Sequence, residues 1–107
     1  MIEFTEGIYD FYVYILTNKN KTVLYTGVTN DIRRRLKEHR EEKNPKSFTA
    51  RYNVEFLVYY EHFGWIQLAI EREREIKDLR RELKLELIKN FNPDFQFLNG
   101  HFEIVSE

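Results

Sequence analysis

Residues able to do chemistry cluster in the stretch VLYTGVTNDIRRRLKEH, residues 23–39. Tyr25 stands two positions before Gly27, and Arg35 and His39 follow four positions apart. Residues three or four apart share a side of a helix. Arg35 and His39 therefore border the apolar stripe of Ile32 and Leu36, while Arg33, Arg34 and Lys37 turn toward water. Residues 33–46 hold seven Lys/Arg against three Glu, a local net of +4, whereas residues 90–107 hold Asp94, Glu103, Glu107 and no Lys or Arg. Such a basic stripe can bind phosphates even in a chain of net charge −1. The plainer alternatives are a solvated helix face, an Arg35 that snorkels and a His39 that closes the apolar stripe. A second group lies further on. Between the inward positions Ala69 and Ile76, the places 72 and 73 are taken by Arg72 and Glu73. A carboxylate facing inward needs a cation, a metal or hydrogen bonds. An internal ion pair, for example of Glu73 with Arg35, would meet that need without any chemistry.

These side chains need a scaffold. FYVYIL, residues 11–16, is aromatic and β-branched and reads as a buried strand. Tyr12 and Tyr14 share one face of it and Val13 and Ile15 the other. TNKNK is a polar turn, and TVLYT, residues 22–26, is a second strand closing on Gly27, so the two form an antiparallel hairpin. The glycine is expected to let the chain turn closely into the next helix. Thr29, Asn30 and Asp31 offer N-cap chemistry for a helix over residues 31–42. A short helical turn is expected around residues 47–51, and a third strand over residues 54–61. One long charged helix is expected over residues 67–90, stopped by Asn92-Pro93. The fold class is α+β, a three-stranded antiparallel sheet with helices packed on it.

With 107 residues the chain has the size of one domain. Its 42% hydrophobic and 16% aromatic content excludes a disordered chain. The absence of cysteine excludes disulfides, zinc-thiolate sites and thiol nucleophiles. Neither a signal peptide nor an apolar run long enough to span a membrane is visible, so a soluble, cytoplasmic protein is expected.

Taken in order, YVYIL, LYTGVTNDIRRRLKEH, AIEREREIK and LIKNFNP resemble the GIY-YIG nuclease superfamily, in particular its small single-domain bacterial members. The resemblance covers residues 11–94 and implies a nuclease domain over residues 1–94 with a C-terminal tail over residues 95–107. A literal GIY occurs at residues 7–9, but it is not the matching motif. The family's two tyrosines are ten or eleven residues apart, which suits Tyr14 and Tyr25, eleven apart, and not Tyr9 and Tyr25, sixteen apart. YVY, residues 12–14, therefore stands in the place of GIY, and YTG, residues 25–27, in the place of YIG.

The resemblance implies a metal-dependent endonuclease acting on DNA, with Tyr14, Tyr25, Arg35, His39 and Glu73 as its catalytic set. Glu73 would hold one divalent cation, Mg2+ or Mn2+, and Arg35 would pair with the scissile phosphate. A phenol made more acidic by metal and arginine would relay a proton, and His39 would accept it within its working pKa range. Tyr25 would be closest to the chemistry and Tyr14 would orient. Asn92 or Asn99 would stand for the asparagine that many members carry. Arg33, Arg34, Lys37 and Arg40 would hold flanking backbone, giving selectivity for DNA structure rather than sequence. A protein partner or a homodimer would add affinity. Two other readings remain: a nucleic-acid-binding module of the same fold with weak or no cleavage, and a protein-interaction domain using the charged helix over residues 67–90.

Overall fold

The computed structural model describes residues 10–41 and 47–102. The GIY at residues 7–9, Glu42 at the expected end of the first helix, and the last residues of the tail lie outside them. Within the described residues, β1 (Phe11–Thr17) and β2 (Leu24–Thr29) form the hairpin, followed by α1 (Ile32–Glu41) and the single-turn α2 (Phe48–Arg51). Then come β3 (Phe56–Phe63), α3 (Ile66–Lys77), α4 (Arg81–Phe91) and a 3₁₀ turn at Asn99–His101. The sheet order is β2-β1-β3, with both pairings antiparallel.

Alternation along β1 builds two cores. Val13 and Ile15 join Val58, Ala69, Ile76 and Ile88 beneath α3 and α4. Tyr14 and Leu16 join Ile32, Leu36, Leu57 and Leu98 beneath α1. The register against β3 slips between Ile15 and Leu16, because Ile15 faces Tyr59 and Leu16 faces Leu57. Val58 is the extra residue of this bulge, and it allows Val58 and Tyr59 both to enter the first core.

Two expectations about the elements are corrected. β2 does not close on Gly27. It runs to Thr29, with Gly27 paired opposite Tyr14 inside the strand. The turn into α1 is made instead by Thr29, whose Oγ1 accepts from Asp31 N at 3.0 Å, and by Asp31, whose Oδ1 accepts from Arg34 N at 3.1 Å. Nor is there one helix over residues 67–90. A straight helix of that length would run about 36 Å, beyond the roughly 26 Å of the longest strand beneath it. The chain breaks at Asp78–Arg80, where Leu79 N bonds back to Ile76 O and Arg80 takes extended angles. The break re-aims α4 so that Ile88 is buried against β3 while Leu83 faces solvent.

The two asparagines are spent on backbone. Asn92 Nδ2 donates to Val58 O and Gln96 O, at 3.1 and 2.8 Å, and its Oδ1 accepts from Gln96 N. Asn99 accepts from Leu57 N and donates to Glu55 O, at 2.8 and 3.0 Å. Leu98 N also bonds Leu57 O, so residues 95–102 cover the outer edge of β3 that would otherwise stand unpaired. Among the described residues, no helix is long and apolar enough to cross a membrane.

Candidate functional site

The site begins with two residues that face each other across the hairpin. Tyr14 and Gly27 are directly paired and share a face of the sheet. With no side chain at 27, the Tyr14 phenol lies across β2: a Cβ on Gly27 would come within 2.5 Å of Tyr14 Oη. The glycine supplies space here, not an unusual backbone angle, since its φ is not positive. Tyr14 is fully buried, and its hydroxyl meets two residues of α1. His39 Nε2 lies 3.1 Å away, and the Arg35 charge acts on the same phenol.

The chain of contacts continues behind His39. Its Nδ1 is 3.0 Å from Thr49 Oγ1, and Thr49 Oγ1 is 3.3 Å from Ser47 Oγ. The Arg35 charge favours a phenol that turns its lone pairs, not its proton, toward the guanidinium. The phenol proton then points to His39 Nε2, and the neutral imidazole donates from Nδ1 to Thr49. This assignment gives every group a partner, in keeping with the absence of unpartnered buried side-chain polar atoms among the described residues.

Burial decides the charge states. It pushes the Tyr14 phenol up to about 12, more than Arg35 pulls it down, with Tyr25 and Glu73 adding to the rise. Burial, helped by the neighbouring Arg35 charge, pushes His39 down to about 4. Arg35 itself is held above its ordinary range, chiefly by the Tyr14 phenol. In the chain alone, desolvation of the Tyr14 phenolate outweighs the arginine. One expectation is thereby corrected. His39 does not titrate near neutrality, because its cation would be buried beside another cation.

His39 carries a consequence for stability. Its folded pKa lies below its unfolded value, so the unfolded chain takes up the proton first. The stabilisation is complete above about pH 6.5 and is lost as pH falls toward about 4. Up to about 3 kcal/mol is involved. Urea unfolding at pH 7 and at pH 4.5 will show a steeper loss for wild type than for His39→Gln, which has no imidazole to protonate. Parallel losses would contradict the neutral, buried His39.

Tyr25 is partly exposed. Its ring lies 6.3 Å from that of Tyr14 and 5.5 Å from that of His39. Arg35 also lines an open cleft of about 340 Å3, with Arg34, Thr29, Val28, Phe11 and Ile66. Arg35 thus acts on the buried phenol through its charge and also faces solvent. It is paired with Glu38, at 3.1 Å. Arg33, Arg34, Lys37 and Arg40 are all exposed along α1, with Arg34 also 3.8 Å from Glu38.

Glu73 projects from α3, which packs on β1 and β2. Its side chain is only 14% exposed and pairs with Lys77 at 2.9 Å. The ion pair of Glu73 with Arg35 is not made. The inward cation is satisfied separately: Arg72 Nε reaches both Glu61 oxygens, at 3.1 and 3.0 Å, and Tyr59 donates to the same carboxylate. Glu73 adds a small coulombic rise to the Tyr14 phenol. Asn92 and Asn99 are not brought to this group, their amides being committed to β3 and the C-terminal segment. Thr49 was not legible as a partner of His39. Its only sequence signal is a hydroxyl in a short helical turn, and the contact spans ten residues.

The chain is similar to known proteins over most of its length. The family model described as the GIY-YIG catalytic domain matches residues 10–86. A UPF0213 protein of Natronomonas pharaonis is 42% identical over 79 residues, covering 74% of this chain and 91% of that protein. A UPF0213 protein of Clostridium perfringens is 43% identical over 79 residues, covering 74% and 83%. Among solved structures, the solution structure of a UPF0213 protein from Bacillus halodurans is 34% identical, with a TM-score of 0.52 over 80% of this chain and 89% of that one. The three-stranded antiparallel sheet with its flanking helices, the Tyr14–Gly27 pairing and the Arg35 junction sit inside the matched stretch, and the chain belongs to the GIY-YIG family.

Proposed function

We propose that the chain is an endonuclease that hydrolyses DNA phosphodiester bonds with the help of one divalent cation, Mg2+ or Mn2+, selecting DNA by structure rather than sequence. The observation that carries this reading is Arg35: one guanidinium lies in the field of a buried phenol, is paired with Glu38 and lines an open cleft. Its planar fork suits two phosphate oxygens and favours the extra negative charge of the phosphorane over the ground state.

The donor set fits a hydrated magnesium-type ion. Glu73 is a largely buried carboxylate, and among the described residues no three His, Cys, Asp or Glu side chains gather into a metal cage. One carboxylate, with water and phosphate oxygens for the remaining positions, suits magnesium or manganese and not zinc. The bound ion supplies Lewis-acid stabilisation and a more acidic water.

The remaining roles follow from burial. Tyr14 and His39 are positioning residues: Ser47, Thr49, His39 and Tyr14 form a hydrogen-bonded line whose phenol end lies in the field of Arg35. A neutral His39 suits that role, because a second cation would repel Arg35. Tyr25, nearer to solvent, orients the attacking water. Arg33, Arg34, Lys37 and Arg40 hold flanking phosphates, contacts that carry no sequence information.

Nicking of supercoiled plasmid, followed while magnesium is titrated, tests the reading. Wild type will show a saturable rate that chelator abolishes, and Glu73→Gln will need far more metal or will not cleave. Equal metal dependence in the two proteins would remove Glu73 from the metal site.

A further inference from the structure

Helix α2 turns its polar residue inward and its rings outward. Thr49 is buried on His39, whereas Phe48 and Tyr52 are 47% and 44% exposed. The two are four residues apart, so they share one side of the turn, with ring centroids 4.8 Å apart. Phe48 also stacks on Tyr25, at 6.1 Å and an interplanar angle of 27°. The rings of Tyr52, Phe48, Tyr25 and Tyr14 therefore form a continuous strip from the surface to the buried phenol behind Arg35. Exposed cations lie on the same pair of helices. Arg51 is exposed on the same helix, and Lys37 and Arg40 are exposed on α1, which packs against α2.

Open ring faces beside exposed cations match the needs of a single nucleic-acid strand, whose bases stack while its phosphates are neutralised. A fully paired duplex keeps its bases inside its own stack and cannot use the rings. The strip is also continuous with the candidate site, so a base resting on it belongs to a nucleotide near the phosphate that Arg35 meets. We propose that Phe48 and Tyr52 form a ledge on which an unpaired base of the substrate stacks, so that the preferred DNA carries a flap, bulge or displaced nucleotide beside the cleaved bond. The proposal rests on the reading of the chain as a DNA nuclease.

The test is binding in chelator, where no cleavage occurs. A duplex with a 2-aminopurine at a single-base bulge is compared with the same duplex fully paired, using wild type, Phe48→Leu and Tyr52→Leu. Leucine keeps apolar bulk and removes the ring face, and thermal melts confirm that both variants fold. Wild type will bind the bulged DNA roughly 5- to 100-fold more tightly than the paired one, with a change in 2-aminopurine emission on stacking. Each variant will lose most of that preference while retaining salt-dependent binding to paired DNA. Equal affinity of wild type for the two DNAs would overturn the ledge and leave the nuclease reading standing. An emission change that persists in both variants would also overturn the ledge. Absence of binding to either DNA would overturn both readings. A wild-type dimer that becomes a monomer in Phe48→Leu would overturn the ledge by showing the rings to be a contact between copies.

Discussion

Arg35→Ala will lower the rate of DNA cleavage by about 100-fold or more and leave the fold intact. Removing one preorganised donor to a developing oxyanion costs on the order of 100- to 1,000-fold. Arg35 lies in the field of the buried Tyr14 phenol and lines the open cleft. The stability cost is small for identifiable reasons. Its ion pair with Glu38 is a three-apart pair between side chains 40% and 34% exposed, and such pairs contribute a few tenths of a kcal/mol. Tyr14 keeps His39 as a partner when Arg35 is gone, so no buried hydroxyl is orphaned. Arg35→Lys will recover only part of the rate, because it restores the charge without the two-pronged donor. Single-turnover cleavage beside thermal melts separates these effects. A large fall in melting temperature would make Arg35 structural, and an unchanged rate would remove it from the site.

The second large effect belongs to a residue with no functional group. Gly27→Ala places a methyl 2.5 Å from Tyr14 Oη and 2.6 Å from Tyr14 Cζ, closer than any real contact. The ring is fully buried, with Tyr25 and His39 against it, and cannot swing aside freely. Overpacking of this kind costs about 1–3 kcal/mol. The phenol must shift, taking the aim of Arg35 with it, so the cleavage rate will fall together with stability. The cause is identified by a double-mutant cycle. In a Tyr14→Leu background, which lacks the distal ring atoms, Gly27→Ala will cost much less, giving a coupling of about 1–3 kcal/mol. Additive costs would mean that Gly27 serves the backbone and not the phenol.

These two residues show how far the site can be read from a sequence. That Tyr14 and Tyr25 lie on neighbouring strands of one hairpin was legible from two apolar runs joined by a short polar turn, whereas the register that sets Tyr14 opposite Gly27 was not. The nearness of Arg35 to His39 followed from helical spacing alone. Gly27 itself was misread as a turn residue, because a glycine near a strand end looks the same whether it bends the chain or makes room for a ring. The break after Lys77 was missed for a related reason. Leu79, Leu83 and Leu87 continue the helical periodicity through Asp78–Arg80, and only the limited length of the sheet shows that one straight helix does not fit. Glu73 was rightly singled out as an inward carboxylate, but its pairing with Lys77 and the pairing of Arg72 with Glu61 were not foreseeable. Residue 61 lies on another element, and its position depends on how α3 crosses the sheet. The protonation states were the least legible. Tyr14 and His39 take theirs from burial, which depends on every element packed around them.

The central claim is that Arg35, in the field of the buried Tyr14, serves phosphodiester hydrolysis. Its most direct test is a time course of purified chain on a branched synthetic DNA in magnesium, with Arg35→Ala alongside. The account predicts cleavage by wild type that chelator stops and that falls about 100-fold or more in the variant. Folded wild type that binds the branched DNA and leaves it intact in both magnesium and manganese would contradict the account, and would make the chain a binding module built on a nuclease fold.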